Sequence, residues 1–355
     1  MHIKLTHNLL THNLLPLIKP ITRAISTNTW SKTIKLYWKQ KLPLEDTIKS
    51  MKEFLKTPTI PRLTQYCSLL HSQHRWLDIY EVYPVISEIS KDSTLPLIFD
   101  SLYQLENKCD YAAAKSFVDE LEQIKLSSYE SRCLSVLLGR MERYEDALKY
   151  LNTYLNNSDH LVDILAYHEK MNLELICGYS DKSLQSARKL LSIDSTNTSV
   201  RLTKAFALIN LKKMNEAIIE LSILISAITD PRFKSNLYQY RANCRSHEDL
   251  NEKILDLEMS CQLYPKGNQQ PLLSLLYETA MYDELEAMIK EISKTQPIEK
   301  DFNIAAIMGN MYWIAKNDDE KALEWFKYAY EAAPLKYKKH FKMKIEAIKR
   351  IMKHH

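Results

Sequence analysis

The chain has 355 residues, of which 45% are hydrophobic and 26% charged, so it can bury a core and is too apolar to be wholly disordered. Its four glycines stand far apart, which excludes a glycine-rich phosphate loop or dinucleotide-binding turn. Abundant Leu, Lys, Glu and Ala predict an almost entirely helical chain.

Charge is strongly segregated along the sequence. Residues 1–44 hold seven basic residues and no acidic one, and residues 335–355 hold eight basic residues against Glu346. Residues 45–334 therefore contain 33 basic and 43 acidic residues, a net charge of −10 with histidine neutral. A nucleic-acid strand needs a cationic track, which this middle region does not obviously provide.

Residues 1–25 have the composition of a mitochondrial transit peptide, with Lys and Arg, Thr and His but no acids. An apolar stripe recurs at helical spacing: Leu10, Leu14, Leu17, Ile18 and Ile21. The segment Arg23 to Ser26 resembles a site cut by the matrix processing peptidase. We therefore expect a protein of the mitochondrial matrix or the matrix face of the inner membrane. The alternative is a basic first helix of the fold, since Pro16 and Pro20 weaken a continuous targeting helix.

An N-terminal helical segment is expected over 26–59, followed by a repeat array over 60–334. The last repeat is the most specific, with apolar, small and proline positions at Met308, Gly309, Tyr312, Ala322, Phe326, Ala329 and Pro334. One extra residue falls in its turn between helices. Equivalent positions in successive repeats lie near residues 114, 147, 183, 217, 253, 285 and 322. This period of about 34 residues predicts stacked helical hairpins.

These positions resemble those of the tetratricopeptide repeat family. The resemblance implies an all-α fold, an α-α superhelical solenoid of about eight helical hairpins with a concave groove that binds protein partners. Residues 60–127 are equally similar to pentatricopeptide repeats, which usually bind single-stranded RNA. In that alternative the protein is an RNA-binding factor for mitochondrial transcripts or their translation.

The tetratricopeptide resemblance also implies which side chains line the groove. The fifth, ninth and twelfth positions of the first helices give six candidates: Arg132, His168, Asn172, Tyr238, Arg245 and Asn310. The Lys and Asn clamp with which chaperone-binding members hold a terminal carboxylate is not assembled here.

Residues 335–355 form a predicted basic capping helix. Phe341, Ile345, Ile348 and Met352 have the spacing to cover the preceding repeat, with Lys338, Lys342, Lys349 and Lys353 facing outward. The basic patch is either a solubilising face or a contact for ribosomal RNA or anionic lipid.

Motifs for chemistry are scarce. The six cysteines form no CxxC pair, which indicates buried thiols in a reducing compartment. His71 and His74 lie three apart without a third metal ligand beside them, and no serine lies in a nucleophile elbow. We therefore expect no enzyme activity, cofactor, metal, small-molecule substrate or transmembrane segment. The predicted function is a mitochondrial scaffold for organellar gene expression or complex assembly. Its partners are proteins of a larger assembly, with RNA, mitoribosome or peripheral membrane contact left open.

Overall fold

A computed structural model describes residues 43–54, 59, 62–63, 66–67, 69–70, 76–89, 94–107, 110–156, 163–265, 269–294 and 297–354. Within these ranges the chain is helical and contains no strand, so the all-α prediction is confirmed. The predicted transit peptide, His71 and His74 lie outside them. Contacts divide the chain into two compact units, Met1–Ala227 and Ile228–His355. The boundary falls inside the predicted repeat array.

The described part of the first unit contains ten full helices. They are α1 (Leu44–Phe54), α2 (Trp76–Ile89), α3 (Leu95–Asn107), α4 (Tyr111–Leu121), α5 (Ser128–Arg140), α6 (Tyr144–Leu155), α7 (Ile164–Ile176), α8 (Ser180–Ile193), α9 (Thr198–Asn210) and α10 (Met214–Ala227). From α3 onward consecutive helices pair as hairpins, α3 with α4 through α9 with α10. The first helix of one hairpin also contacts the first helix of the next hairpin, for example α7 and α9.

The second unit repeats this arrangement. Its helices are α11 (Pro231–Cys244), α12 (Leu250–Leu263), α13 (Gln269–Glu278), α14 (Tyr282–Ser293), α15 (Phe302–Asn310), α16 (Asp319–Ala332) and α17 (Leu335–His354), with a short 3-10 helix at Ile298–Lys300. Three hairpins pair α11 with α12, α13 with α14 and α15 with α16, and α17 packs on α16. The helical-repeat prediction is thereby confirmed.

Five hairpins turn through a residue in the left-handed backbone region, two positions before the second helix begins. These residues are Glu142, Gly178, Lys212, Ala280 and Asn317, with φ between 48° and 83°. In the α9–α10 turn, the Lys213 amide donates to the Leu208 carbonyl at 2.9 Å and the Lys212 amide to the Ile209 carbonyl at 3.0 Å. This pairing is a Schellman motif, which satisfies the last carbonyls of the first helix. Only Gly178 adopts it without steric cost.

The first helices of five hairpins begin behind a polar cap whose side chain accepts an amide hydrogen of the first turn. The caps are Ser127, Asp163, Asn197, Asp230 and Asp301. Each such cap stabilises its helix by about 1 kcal/mol. Ser127 forms a full capping box with Glu130, whose other carboxylate oxygen accepts from the Thr94 amide at 2.6 Å and hydroxyl at 2.7 Å. Glu130 therefore ties the start of α5 to the start of α3.

The predicted small positions lie where second helices meet first helices. The fourth residue of the second helix is fully buried in six hairpins: Ala114, Ala147, Ser183, Ala217, Leu285 and Ala322. In α12 this position is Lys253, which is only half-buried, and Leu257 fills the core instead. The repeat positions inferred from the sequence thus fall at the same place in each second helix, its fourth residue.

The last hairpin accommodates its extra residue differently from the sequence-based expectation. The residue does not lengthen the turn, because Met311–Ala315 form a π-helical turn at the end of α15. Gly309, just before it, lets α15 approach α16: a Cβ there would lie 2.8 Å from two ring carbons of the buried Phe326.

Candidate functional site

The first helices α7 and α9 are joined by two polar contacts that involve predicted groove residues. The His168 Nε2 lies 3.1 Å from the Ser199 hydroxyl, and the Thr203 hydroxyl donates to the Asn172 amide oxygen at 3.0 Å. Both pairs are 31 residues apart in sequence. His168 and Asn172, which the tetratricopeptide resemblance assigned to the groove, therefore lie on the side of α7 that faces α9. Thr203 is fully buried, and the other three side chains are partly exposed.

His168 is neutral at pH 7. Burial lowers the pKa of its imidazole to about 4, because the surrounding protein solvates the cation less well than water does. A neutral imidazole offers one donor and one acceptor, so this position suits hydrogen bonding better than charge pairing.

Arg132 of α5 lies in the core. It is 1% exposed, and its Nη1 is 2.7 Å from a Glu169 carboxylate oxygen on α7. Burial disfavours its charge, but the Glu169 and Asp163 carboxylates outweigh burial and raise the pKa of Arg132. Asp163 is held in turn by the Tyr154 hydroxyl at 2.7 Å. Of this pair, Glu169 is 28% exposed, so Glu169 rather than Arg132 reaches the surface.

In the second unit, Tyr238 and Arg245 belong to a cluster centred on Asp256 of α12, which is 4% exposed on its side chain. Arg241 donates to both oxygens of that carboxylate, from Nε at 3.1 Å, and Arg245 donates from Nε at 2.8 Å. The Arg241 guanidinium lies 5.2 Å from the centre of the Tyr238 ring. Arg245 also pairs with Glu252. The sequence analysis did not identify Asp256 as a site residue. The one sequence signal for it is an acidic residue placed between the apolar Leu255 and Leu257.

Asn310 is partly covered by α17. The Lys344 ammonium donates to its amide oxygen at 2.5 Å and lies 4.9 Å from the centre of the Phe326 ring. Burial lowers the pKa of Lys344. The six groove candidates are thus split among four polar clusters, two in each unit, and the groove assignment as a whole stays a prediction.

The predicted basic patch lies on α17. Lys342, Lys349 and Lys353 are exposed, whereas Lys338 is half-buried with its ammonium 5.2 Å from the Tyr330 ring centre. Of the side chains expected to cover the preceding repeat, Phe341 and Ile348 are buried and Ile345 packs beside them. Met352 is 37% exposed and does not belong to that contact.

Other chemistry in the described residues is sparse. No three His, Cys, Asp or Glu side chains in this part of the chain are grouped to hold a metal. Cys67, Cys133 and Cys244 are buried, and burial raises the pKa of the Cys244 thiol to about 11, which makes it unreactive. None of the described helices combines the length and the apolarity needed to cross a bilayer.

No protein-family model and no curated protein matches the chain. Among solved structures, it is similar to the TPR domain of P58(IPK), at 13% identity and a TM-score of 0.28, over 91% of this chain and 96% of that one. At this level the similarity says nothing about function. The helical-repeat fold follows from the pairing of the helices described above.

Proposed function

We propose that this protein is a non-enzymatic scaffold that binds a protein partner along its first helices. The observation that carries this proposal is the side-by-side packing of α7 and α9 through His168 and Asn172. Polar side chains held at a fixed spacing on rigid helices form a preorganised binding surface, which costs little conformational entropy when a partner binds. Asn172 still has amide hydrogens to donate, since its contact with Thr203 uses only the oxygen.

A photo-crosslinking amino acid at position 172 tests this surface, with the same group at the exposed Lys189 on the second helix α8 as the matched control. The tagged full chain is expressed in its own cells and irradiated, with and without ribonuclease. We expect one protein to crosslink from position 172, not from 189, in both conditions. Equal crosslinking from both positions would contradict the surface. Crosslinks lost with ribonuclease would instead favour the pentatricopeptide-type RNA factor.

We propose further that the scaffold acts in mitochondria, in organellar gene expression or the assembly of a larger complex. The support is the acid-free, basic composition of the first 44 residues together with the apolar stripe at helical spacing from Leu10 to Ile21, which shuffling would destroy. Residues 1–45 fused to a fluorescent protein should direct it to mitochondria, whereas a shuffled sequence of the same composition should not. A cytosolic reporter would refute the address and leave the binding surface untouched.

A further inference from the structure

The side of α17 that faces away from α16 is strongly cationic. Five exposed side chains carry this charge: Lys339, Lys342, Lys349, Arg350 and Lys353. None of the five forms an ion pair or hydrogen bond with another described residue, and Glu346 is the one acid in the helix. We call these five side chains the outer face of α17. They extend over about 21 Å of the helix axis.

An apolar strip runs along one edge of the outer face. Met343, Ala347 and Ile351 follow each other at intervals of four residues, so they lie on one side of the helix. Met343 is 63% exposed and Ile351 39% exposed. The opposite side of α17 already packs on α16 through Phe341 and Ile348. The strip is therefore a second apolar edge, at which Met343 and Ile351 are exposed and Ala347 is half-buried.

Cations beside an exposed apolar strip match a surface that is both anionic and apolar. The phosphates of RNA would pair with the cations but would leave Met343 and Ile351 in water. Four of the five cations are lysines, which act as flexible point charges, whereas fixed carboxylates and nucleic acids are more often recognised by the planar fork of arginine. Anionic lipid headgroups are diffuse and mobile, and the acyl boundary below them accepts apolar side chains.

We propose that the outer face of α17 binds an anionic membrane surface, with the helix axis parallel to the bilayer and Met343 and Ile351 at the headgroup boundary. The inference is independent of the partner on the first helices, because α17 carries it within the second unit. Each lysine near an anionic leaflet strengthens binding about fivefold.

Cosedimentation of the full chain tests the proposal, using vesicles of phosphatidylcholine and phosphatidylserine at about 7:3 and vesicles of phosphatidylcholine alone. The variant Lys342→Gln, Lys349→Gln, Lys353→Gln should bind the anionic vesicles roughly 100-fold more weakly. A matched control makes the same Lys→Gln change at three exposed lysines elsewhere in the second unit, Lys290, Lys300 and Lys327. It should bind within threefold of the native chain, and circular dichroism verifies that both variants fold.

A second variant, Met343→Ser with Ile351→Ser, separates a membrane from other anionic partners. It should weaken vesicle binding about tenfold, also at salt concentrations that screen the lysines. Three outcomes would overturn the proposal: no binding to anionic vesicles, equal loss in the control, or no effect of the serine substitutions. Tighter binding of a labelled single-stranded RNA than of vesicles, lost with the three lysines and unaffected by the serines, would assign the face to RNA.

Discussion

The turn of the α9–α10 hairpin allows a sharp test of the repeated geometry, since two adjacent exposed lysines differ in the sign of φ. They also differ in one exposed ion pair, Lys213 with Glu216 at 4.0 Å, which contributes little to stability. Lys212 has φ 61°, whereas Lys213 is not among the residues with positive φ. A left-handed conformation costs a residue with a side chain about 1–2 kcal/mol, and glycine loses about 0.5–1 kcal/mol more in conformational entropy on folding. Lys212→Gly should therefore raise the free energy of unfolding by about 0.5–1 kcal/mol. Lys213→Gly should lower it by a similar amount.

The two variants carry the same charge and composition, so each is the control for the other. Thermal unfolding followed by circular dichroism should separate their melting temperatures by about 2–8 °C, with the native chain between them. Equal destabilisation by both substitutions would show that the Schellman turn is not formed and would remove the common geometry inferred for the five hairpins.

Three further substitutions test other contacts by urea unfolding. Gly309→Ala should cost about 1–3 kcal/mol, because its methyl group would collide with the buried Phe326 ring. Glu130→Gln should cost about 1–3 kcal/mol, because an amide cannot accept at both oxygens as the carboxylate does from Thr94 and from its own cap. Because the pKa of His168 is lowered to about 4, we expect the free energy of unfolding to fall as pH drops from about 6.5 to 4, by at most about 3 kcal/mol. His168→Gln should remove this part of the pH dependence.

The sign of the pH effect follows from proton binding. The unfolded imidazole has a pKa near 6.5 and the folded one a pKa of about 4, so the unfolded state binds more protons between these values. The stabilisation is complete above pH 6.5. A variant whose pH slope equals that of the native chain would show that His168 titrates normally in the folded protein.

Much of the fold was predictable because a repeat is specified by neighbouring residues. Ala147, Ala217 and Ala322 were recognised as close-packing positions, and each is fully buried at the fourth residue of a second helix. Lys253, assigned to the same phase, is only half-buried, since spacing predicts a position but not whether a residue there reaches the core. The extra residue of the last repeat was recognised, but its place in a π turn was not.

The candidate site was less predictable. The sequence predicted groove positions for Arg132 and Asn310. It did not predict that Arg132 is buried against Glu169, or that Lys344 partly covers Asn310. These contacts join residues 37 and 34 positions apart, so they depend on how neighbouring hairpins pack. A helical period gives the direction of a side chain from its own helix, but not what stands opposite.

The sequence by itself determined the helices, their pairing as hairpins and the position of the small residues, because helix periodicity, caps and turns depend on residues within one repeat. Only the tertiary structure decided which polar atoms are already occupied. It showed that His168, Asn172 and Asn310 hydrogen-bond to neighbouring helices, whereas five cations of α17 stay in water. The physical reason is that hydrogen bonding and desolvation act between side chains brought together across helices, where spacing along the chain carries no information.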